Sequence, residues 1–389
     1  MLTSSESHRA TEEGLWQRRW GKPPWRPETV PAVPLDLSRT EVAIVGGGFT
    51  GVSAAYHLAR SGLRARVFEA GVFGDGASGR SGGIALQGTA RGILPGTEHC
   101  VEKLKEVIDA EQIDCDPQLA GCWEIEHVQE RGTSVLPWHD DGLAIRVKRS
   151  VDGGTVDPMA LLAGLARAAA RAGATFHEWA PVRKILCGAK PAVELDAGSV
   201  QAEYVVAALN AWTSPLLPEV RSVSSALTTA CATQPLSAPT LAALGLGPGS
   251  CPFYTVDLPY LWGRMLGKSQ VIFGAGLVFG APSALEKVDI ADEEPRRAME
   301  RLKGRVRGLH PALERVEFAA QWAGPVAIAE DFAPLLGRLP AAPSVIVAGG
   351  YSGHGVALSV WMGAAIAKAI AQGTELPAWG ALTNEHRRA

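Results

Sequence analysis

A glycine pattern near residue 50 constrains the fold more than any other feature of the sequence. In EVAIVGGGFTGVSAAYHLARSGLRARVFEAG, Gly46, Gly48 and Gly51 form G-x-G-x-x-G between an apolar run and a segment of helical composition. The first glycine permits a tight turn, the second lets the backbone approach a pyrophosphate, and the third lets helix and strand pack closely. The pattern therefore predicts a strand–helix–strand unit that binds a dinucleotide at the N-terminus of its helix.

An acid and a second glycine-rich loop follow this unit. Glu69 ends the second predicted strand, roughly 20 residues beyond the glycine pattern, where a carboxylate accepts hydrogen bonds from an adenosine ribose. NAD and FAD both use such a unit. The next segment, GVFGDGASGRSGG, is rich in glycine and serine, and a loop of that kind beside the pyrophosphate suits the longer ligand. The sequence thus favours FAD over NAD.

The rest of the chain predicts a parallel sheet interrupted by a second sheet. VDPMALLAGLARAAARAGA is typical of a helix with Asp157 as its N-cap, Pro158 at its first position and Gly173 at its end. EYVVAALNAW and SVIVAGG are typical of buried parallel strands. Between residues 216 and 322, alternation broken by glycine predicts antiparallel strands and an amphipathic helix. The predicted fold class is α/β (α+β overall), a Rossmann-like FAD-binding domain with an inserted antiparallel-sheet substrate domain.

We predict three parts from this alternation. Trp16, Trp20 and Trp25 make the N-terminal segment too aromatic for a disordered tail, so we expect it to lie across the folded body. The predicted division is an N-terminal arm over residues 1–39, a discontinuous FAD-binding domain over 40–100, 151–220 and 323–389, and a substrate domain over 101–150 and 221–322.

The composition argues against several classes of function. Hydrophobic residues make up 47% of the 389 and charged residues 20%, which is ordinary for a globular protein. The net charge is −3 with both signs mixed, so we expect no nucleic-acid partner. No apolar run approaches the roughly 20 residues of a bilayer helix, so we expect no membrane span, and the lack of a secretory signal predicts a cytoplasmic location. The six cysteines have no zinc-ligand spacing and are interpreted as free thiols.

Three motifs together resemble the D-amino-acid-oxidase-type (DAO) family of FAD-dependent oxidoreductases. They are the glycine unit quoted above, the loop GDGASGRSGG and the late turn GGYSGHGV. The resemblance spans roughly residues 40–375, and the branch nearest in motif is that of the γ-glutamylputrescine oxidases. It implies the fold predicted above, FAD as the cofactor, and a small-molecule amine or amino acid as the substrate.

The resemblance also implies which residues hold the cofactor. The first turn and the acid would bind adenosine and pyrophosphate, the second loop would pass near the flavin, and the backbone of Val182 would hold adenine. In the late turn, main-chain N–H groups and the positive end of the next helix would meet the O2–N1 edge of the flavin. The implied FAD-binding residues are Gly46, Gly48, Phe49, Thr50, Gly51, Glu69, Ala70, Ser78, Gly79, Arg80, Ser81, Gly82, Gly83, Val182, Gly350, Tyr351, Ser352, Gly353, His354 and Gly355.

Two departures from the family pattern concern the chemistry. Sarcosine-oxidase relatives attach the flavin to a cysteine in the segment matching QWAGPVAIAEDFAPLLG, but no cysteine follows Cys251 here, so we expect non-covalent FAD. Those relatives also place a lysine over the flavin where Ile272 stands, while Lys268 is expected in the adjoining turn. The electron acceptor is therefore left open between O2 and another oxidant.

The segment YLWGR supplies the first candidates for holding substrate. Tyr260, Trp262 and Arg264 would share one face of a strand, with the aromatic rings as cavity wall. Arg264 would pair with a substrate carboxylate, or else form a structural salt bridge. Arg91 is a second candidate anion partner, and Trp322 opens a segment that passes over the flavin in the family.

His354 is the sharpest ionisable candidate, because it lies inside the late glycine turn. Two interpretations stand side by side. In one, the imidazole bonds to the flavin or tunes substrate protonation near neutral pH. In the other, it only shapes the loop.

The activity implied by the resemblance is oxidation of a C–N bond. A hydride would leave the carbon beside a neutral amine nitrogen for flavin N5, and water would hydrolyse the imine. The alternative is a flavin-dependent oxidoreductase acting on a hydroxy acid or other alcohol, which needs a base for the hydroxyl proton. A monooxygenase would need an NAD(P)H unit, and no second G-x-G-x-x-G/A occurs in strand–helix context. A non-catalytic flavoprotein is a further alternative.

Overall fold

The computed structural model describes residues 19–129, 135–220, 223–380 and 382, so Trp16 lies outside the described residues. Its strands are β1 (Val42–Val45), β2 (Ala65–Phe68), β3 (Ile84–Leu86), β4 (Cys122–Val128), β5 (Val135–Asp140), β6 (Leu143–Val151), β7 (Gly153–Thr155), β8 (Thr175–His177), β9 (Val182–Leu186), β10 (Ala192–Leu195), β11 (Gly198–Gln201), β12 (Tyr204–Ala207), β13 (Val223–Thr233), β14 (Phe253–Thr255), β15 (Trp262–Leu266), β16 (Gln270–Phe279), β17 (Phe318–Ala329), β18 (Leu335–Leu339) and β19 (Ala342–Gly349). Its α-helices are α1 (Phe49–Arg60), α2 (Ala77–Arg80), α3 (Cys100–Glu111), α4 (Pro158–Arg171), α5 (Thr213–Leu216), α6 (Ala238–Ala243), α7 (Pro282–Leu285), α8 (Glu293–Gly308) and α9 (Gly355–Ala371).

A parallel sheet forms the centre of the first half of the core. Its strand order is β18-β19-β12-β1-β2-β8, and each of its pairings is parallel except that of β18 with β19. β1 is buried along its whole length because both faces of the sheet are covered. Ile44 packs toward α1, α4 and α9, whereas Ala43 and Val45 pack toward a small sheet of β9, β10 and β11. This layering confirms the predicted α/β fold class.

The helices that frame the parallel sheet begin and end where the sequence predicts. α1 starts directly after Gly48, and Gly62 follows its end. α4 begins at Pro158, and the carboxylate of Asp157 accepts the N–H groups of Met159 at 2.9 Å and Ala160 at 3.0 Å. These bonds satisfy two of the backbone donors that every helix N-terminus leaves open.

A larger mixed sheet forms the other half of the core. Its strand order is β17-β13-β16-β15-β14-β4-β6-β5. The amphipathic helix α8 covers one face, where Met299, Leu302 and Val306 share a buried cluster with Phe273. Thr228 and Trp262 lie on strands β13 and β15 of this sheet, and both line the cavity described below.

Three features differ from the predicted domain division. β17 pairs with β13 as far as Ala329, so residues 323–329 belong to the mixed sheet. α3 packs with the helices of the parallel sheet, because Leu104 and Ile108 join their core. The predicted antiparallel sheet also contains the parallel pair β4 and β14, since these strands come from two distant segments. The other boundaries stay a prediction.

The described part of the N-terminal arm crosses both sheets. Trp20 is fully buried, and its carbonyl accepts the N–H of Ala323 in β17 at 2.7 Å. Further along, the N–H of Val33 donates to the carbonyl of Phe176 in β8 at 2.8 Å. The arm therefore ties one edge of the mixed sheet to the far edge of the parallel sheet.

Within the described ranges, no helix combines the length and apolar character needed to cross a bilayer.

Replacing Asp157 by Ala is expected to lower the free energy of unfolding by about 1 kcal/mol, because two N–H groups of α4 lose their acceptor. Asp157→Asn is the matched control, since its amide oxygen keeps an acceptor at the same place. Chemical denaturation of both variants measures the difference. An alanine variant as stable as the wild type would contradict a stabilising cap.

Candidate functional site

A cavity of about 1160 Å³ lies between the parallel sheet and the mixed sheet. It exceeds the roughly 300–1,000 Å³ of ordinary small-molecule sites, so it has room for a large cofactor together with a substrate. Most of the residues predicted from the sequence line it. They are Gly46, Gly48, Phe49, Thr50, Glu69, Ala70, Ser78, Arg80, Ser81, Gly82, Val182, Tyr260, Trp322, Tyr351, Ser352, Gly353, His354 and Gly355.

The cavity lining does not include four glycines predicted to hold FAD, Gly51, Gly79, Gly83 and Gly350, or the two predicted anion partners Arg264 and Arg91. A Cβ on Gly51 would lie 2.0 Å from the carbonyl oxygen of Gly46, so this glycine allows α1 to pack on β1. Gly350 donates its N–H to the side-chain oxygen of Asn210 at 3.1 Å. Gly51 thus has the packing role that the sequence predicts, and the contact of these glycines with the cofactor stays a prediction.

The first glycine turn is held in place by two side chains. The carboxylate of Glu69 accepts the N–H of Gly47 at 2.9 Å and that of Gly71 at 3.0 Å. The hydroxyl of Ser78 accepts the N–H of Phe49 at 2.9 Å. These bonds fix the backbone at the start of α1, where the N–H groups and the helix dipole favour a negative group such as a pyrophosphate.

The late glycine turn lies against the first one. The hydroxyls of Thr50 and Tyr351 form a hydrogen bond of 2.6 Å, and Ser53 donates to the carbonyl of Val360 at 3.0 Å. Burial raises the pKa of Tyr351 to about 12, so its hydroxyl keeps its proton at neutral pH. The N-termini of α1 and α9 therefore meet in one cavity although about 300 residues separate them in the chain.

The backbone of the late turn is shaped for close approach by a ligand. Ser352 donates its N–H to the carbonyl of Ala327 at 2.9 Å, which fixes the turn on β17. Gly353 has φ +92°, and a Cβ there would meet no protein atom within 4 Å, so the space before it belongs to the cavity. α9 begins two residues later and directs its partially positive end to this place.

His354 carries an unmatched polar atom at this turn. Its Nδ1 is buried and has no hydrogen-bond partner among the described residues. The ring packs edge-to-face on Tyr254, with 5.9 Å between the centroids. Burial lowers the pKa of His354, so the imidazole is neutral at pH 7. A buried atom of this kind in a cavity wall fits a polar group of a bound ligand.

Arg80 lines the cavity as predicted, but its guanidinium bonds to other groups of the protein. It bonds to the Asp75 carboxylate at 2.7 Å and to the Gly21 carbonyl at 2.7 Å, and it stacks 5.4 Å from the ring of Trp20. The carbonyl of Arg80 accepts the indole N–H of Trp322 at 2.9 Å. The N-terminal arm, the second glycine loop and the cavity wall are thus joined at one residue.

A second tryptophan of the arm completes this junction. Trp25 donates its indole N–H to the Gly79 carbonyl at 2.8 Å. Its ring meets Trp322 edge-on, with 5.7 Å between the centroids. The arm therefore supports both the second loop and the aromatic wall from outside the cavity.

Arg264 does not occupy the predicted substrate position. Its guanidinium lies 5.1 Å from the ring of Trp25, behind the cavity wall, because the arm covers this part of the sheet. Burial lowers the pKa of Arg264 to about 10, so it stays charged at pH 7, close enough to Asp157 for attraction. Tyr260 precedes β15 instead of sharing its face, yet it lines the cavity as predicted.

Arg91 does not reach the cavity either. Its guanidinium pairs with the carboxylate of Asp331 at 2.9 Å, on a half-exposed surface. This contact agrees with a structural salt bridge, and Arg91 is absent from the cavity lining.

Further polar residues line the cavity that the sequence did not single out, among them Asn210, Thr228, Tyr254, Asp257 and Glu286. Asn210 follows the buried strand β12, a position that often carries function in open α/β sheets. Its place after a predicted strand could have identified it from the sequence. Tyr254 and Asp257 give no local signal, because they reach the cavity through the long-range pairing of β14 with β4 and β15.

The sequence shows no zinc-ligand spacing, and its cysteines are interpreted as free thiols. Among the described residues, no group of three or more His, Cys, Asp or Glu side chains could hold a metal ion. The six cysteines are free, and Cys187 is exposed while Cys251 is partly buried. None of the six belongs to the cavity lining.

The donors present fit FAD. The first turn offers the N-terminus of α1 for a pyrophosphate, and Glu69, the acid predicted to bind a ribose, lines the cavity beside this turn. The late turn offers a second helix N-terminus with the unmatched His354. A parallel sheet with this cradle, opening onto a second sheet, defines a dinucleotide-dependent oxidoreductase.

Comparison with known proteins identifies the family. The sequence matches the DAO family, described as FAD dependent oxidoreductase, over residues 41–369, and the chain belongs to this family. It is an enzyme, an FAD-dependent oxidoreductase.

Curated relatives cover most of the chain. Gamma-glutamylputrescine oxidoreductase of Escherichia coli (strain K12) is 28% identical over 380 residues, which is 85% of this chain and 83% of that protein. Glycine oxidase of Geobacillus kaustophilus (strain HTA426) is 26% identical over 378 residues, which is 85% of this chain and 93% of that protein. The match to the first of these agrees with the branch predicted from the motifs.

Solved structures share the fold. Glycine oxidase from Geobacillus kaustophilus superposes with a TM-score of 0.70 and 22% identity, covering 89% of this chain and 99% of that chain. L-proline dehydrogenase from P. horikoshii superposes with a TM-score of 0.68 and 19% identity, covering 87% and 96%. These likenesses confirm the Rossmann-like FAD-binding fold with a second, substrate-domain sheet.

Replacing Gly51 by Ala is expected to lower the flavin content of the purified protein several-fold, because the new Cβ would force α1 away from β1. Gly304→Ala, on an exposed turn of α8 with open space around it, is the matched control and should keep its flavin. The ratio of flavin to protein absorbance measures this, with circular dichroism as a check of folding. Full flavin occupancy in folded Gly51→Ala would contradict the packing argument.

Replacing Trp25 by Ala is expected to weaken flavin binding, because the second loop and Trp322 lose their outer support. Trp25→Phe keeps a ring and loses only the indole hydrogen bond, so its flavin dissociation constant should lie between those of alanine and wild type. Titration of the flavin-free proteins with FAD gives the three constants. Three equal constants would show that the arm does not act on the site.

Proposed function

We propose that this protein uses non-covalently bound FAD to oxidise the C–N bond of a small amine or amino acid to an imine, which water hydrolyses. The observation that carries the proposal is the continuity of one cavity from the glycine turn at Gly46 to the aromatic side chains of the mixed sheet. Bound FAD would supply the acceptor for the hydride. The protein supplies binding, orientation and exclusion of water.

The late turn is the part of the chain that would favour reduction of the cofactor. The N-terminus of α9 and the main-chain groups around Gly353 present partial positive charge to the cavity. Preorganised donors of this kind stabilise negative charge that develops during a reaction. The neutral His354 offers one further hydrogen-bonding atom without adding a full charge.

The mixed sheet supplies the dry wall over the reacting atoms. Trp262 and Trp322 are buried and line the cavity, and Tyr260 lies beside them. An apolar wall excludes water, which strengthens the electrostatic interactions inside and protects the reacting pair. Ile272, which stands where sarcosine-oxidase relatives place a lysine, is fully buried in the same cluster.

The cavity wall supports the proposed non-covalent attachment of the cofactor. Among the described residues that line the cavity there is no cysteine. Lys268 is exposed in the turn between β15 and β16, as the sequence predicts, and is absent from the lining. We propose O2 or a second oxidant as the final electron acceptor.

The relatives named above support an amine as substrate. Their names specify a glutamylated putrescine and glycine, and the structural neighbours include an L-proline dehydrogenase. In each of these compounds, carbon bonded to nitrogen carries hydrogen. The alternative, oxidation of a hydroxy acid, would need a protein base near the hydroxyl, and His354 is the neutral imidazole placed to act as one.

Anaerobic mixing of the purified protein with a panel of amines, amino acids and 2-hydroxy acids tests the proposal. We expect loss of the visible flavin absorbance with at least one amine or amino acid and none with the hydroxy acids. Bleaching by hydroxy acids alone would establish the alternative, and no bleaching by any amine would overturn the proposal. Readmission of O2, compared with an artificial acceptor, then identifies the oxidant.

The pH dependence of flavin reduction separates the two chemistries further. For amine oxidation, the rate should rise with pH as the free substrate loses its proton, and His354→Asn should keep that profile. For alcohol oxidation, His354→Asn should abolish an enzyme-derived pKa from the profile. Stopped-flow measurement on both proteins gives the two profiles.

A further inference from the structure

The substrate side of the cavity is rich in aromatic rings. Tyr254, Trp262 and Trp322 line it from three different strands of the mixed sheet. Trp262 is seated between two glycines, since a Cβ on Gly82 would lie 2.3 Å from its ring and one on Gly274 would lie 2.1 Å from it. This seating requires glycine on both sides, so the position of the ring is specified by the sequence.

The charged groups on this side are carboxylates. Asp257 and Glu286 line the cavity from the segments that connect the mixed sheet. Asp257 is held by His127, whose ring bonds to it at 2.8 Å and whose backbone N–H bonds to it at 2.9 Å, and its side chain keeps 37% exposure. Glu286 accepts the indole N–H of Trp212 at 2.7 Å.

Tyr254 adds an acceptor to the same wall. Its hydroxyl donates to the buried carboxylate of Glu124 at 2.6 Å, so its oxygen turns lone pairs toward other donors. Burial, with the bond to Glu124, raises the pKa of Tyr254, and the phenol stays protonated. Such an oxygen suits an N–H group of a substrate.

The two arginines of the described cavity lining, Arg80 and Arg183, bond to carboxylates of the protein. Arg80 bonds to Asp75, and Arg183 bonds to Asp196 at 2.8 Å. Arg183 lies beside Val182, at the end of the cavity where adenine is predicted to bind. Arg264 lies behind the wall, and no lysine belongs to the described lining. A substrate carboxylate would therefore meet carboxylates and aromatic faces in place of a bidentate guanidinium.

The mouth of the cavity is apolar. Val256, Leu258, Phe279 and Phe332 line it and are also exposed, with Leu258 85% accessible. Large apolar side chains left in water around a cavity mark a binding surface for an apolar group.

We propose that the substrate is an amine without a carboxylate on the carbon that is oxidised, and that it carries an apolar body directed to Leu258 and its neighbours. The inference rests on the function proposed above and specifies its substrate class. Aromatic faces attract an ammonium group, and the Asp257 carboxylate, which is bonded to His127, keeps part of its surface open to such a group. The same arrangement repels the carboxylate of an amino acid.

The oxidation of such an amine would balance with bound FAD as the hydride acceptor and with the O2 or second oxidant proposed above to reoxidise it. Once the ammonium has lost its proton to water, the C–H electron pair leaves as a hydride to the cofactor. The nitrogen lone pair forms the C=N bond, and water adds to the imine to release aldehyde and ammonia or a smaller amine.

A pair of ligands that cannot be oxidised tests recognition apart from catalysis. 2-Phenylpropan-2-amine and 2-amino-2-phenylpropanoate differ by a methyl group against a carboxylate, and both lack hydrogen on the carbon that bears nitrogen. Titration calorimetry of the flavin-loaded protein should give at least tenfold tighter binding of the amine, about 1.4 kcal/mol. Equal or tighter binding of the carboxylate compound would overturn the inference.

Variants locate the recognition in the residues named. Asp257→Asn should weaken binding of the amine several-fold and reduce its advantage over the carboxylate compound. Asp109→Asn, which removes an exposed carboxylate paired with Lys105 on α3, is the matched control and should change neither constant. Unchanged amine binding in Asp257→Asn would contradict the part assigned to that carboxylate.

The experiments distinguish a failure of the proposed function from a failure of the proposed substrate class. If no amine and no amino acid reduces the flavin, the proposed function is wrong whatever the ligands bind. If amino acids reduce it and 2-amino-2-phenylpropanoate binds more tightly than the amine, the function stands and the substrate class assigned here is wrong.

Discussion

The hydrogen bond between Thr50 and Tyr351 marks the constraint on which the rest of the site depends. It joins the N-termini of α1 and α9, so two helix dipoles and two glycine turns act on one cavity. Neither turn alone spans a ligand of the length of FAD. The parallel pairing of β12 with β1 and β19 sets the distance between them, and the close packing of α1 on α9 keeps it.

A second level of support comes from outside the cavity. Arg80 holds the second glycine loop to the arm through Gly21, and its carbonyl holds Trp322 in the wall. The arm lies before residue 41, where the match to the family model begins. A buried arginine with a carboxylate and carbonyl partners is stable as a unit, and removal of one partner would leave an uncompensated charge.

Local patterns predicted the fold, and most of the residues predicted for the cofactor line one cavity, for physical reasons. Glycine spacing, the acid Glu69 and the cap Asp157 act within a few residues of where they stand, so sequence alone identifies them. The position of Arg264 relative to the cavity could not be predicted in this way. Its strand and its burial follow from alternation, but the arm that separates it from the cavity comes from more than 200 residues away. The same holds for Tyr254, which reaches the cavity only through long-range strand pairing.

The central claim is that one cofactor spans both glycine turns at once. Amide hydrogen exchange of the flavin-free protein, with and without added FAD, tests it most directly, because it reports on each turn separately. We predict that FAD slows exchange both at residues 46–52 and at residues 350–356, with the same dependence on FAD concentration. Protection of the first turn alone, with the late turn unchanged, would contradict it.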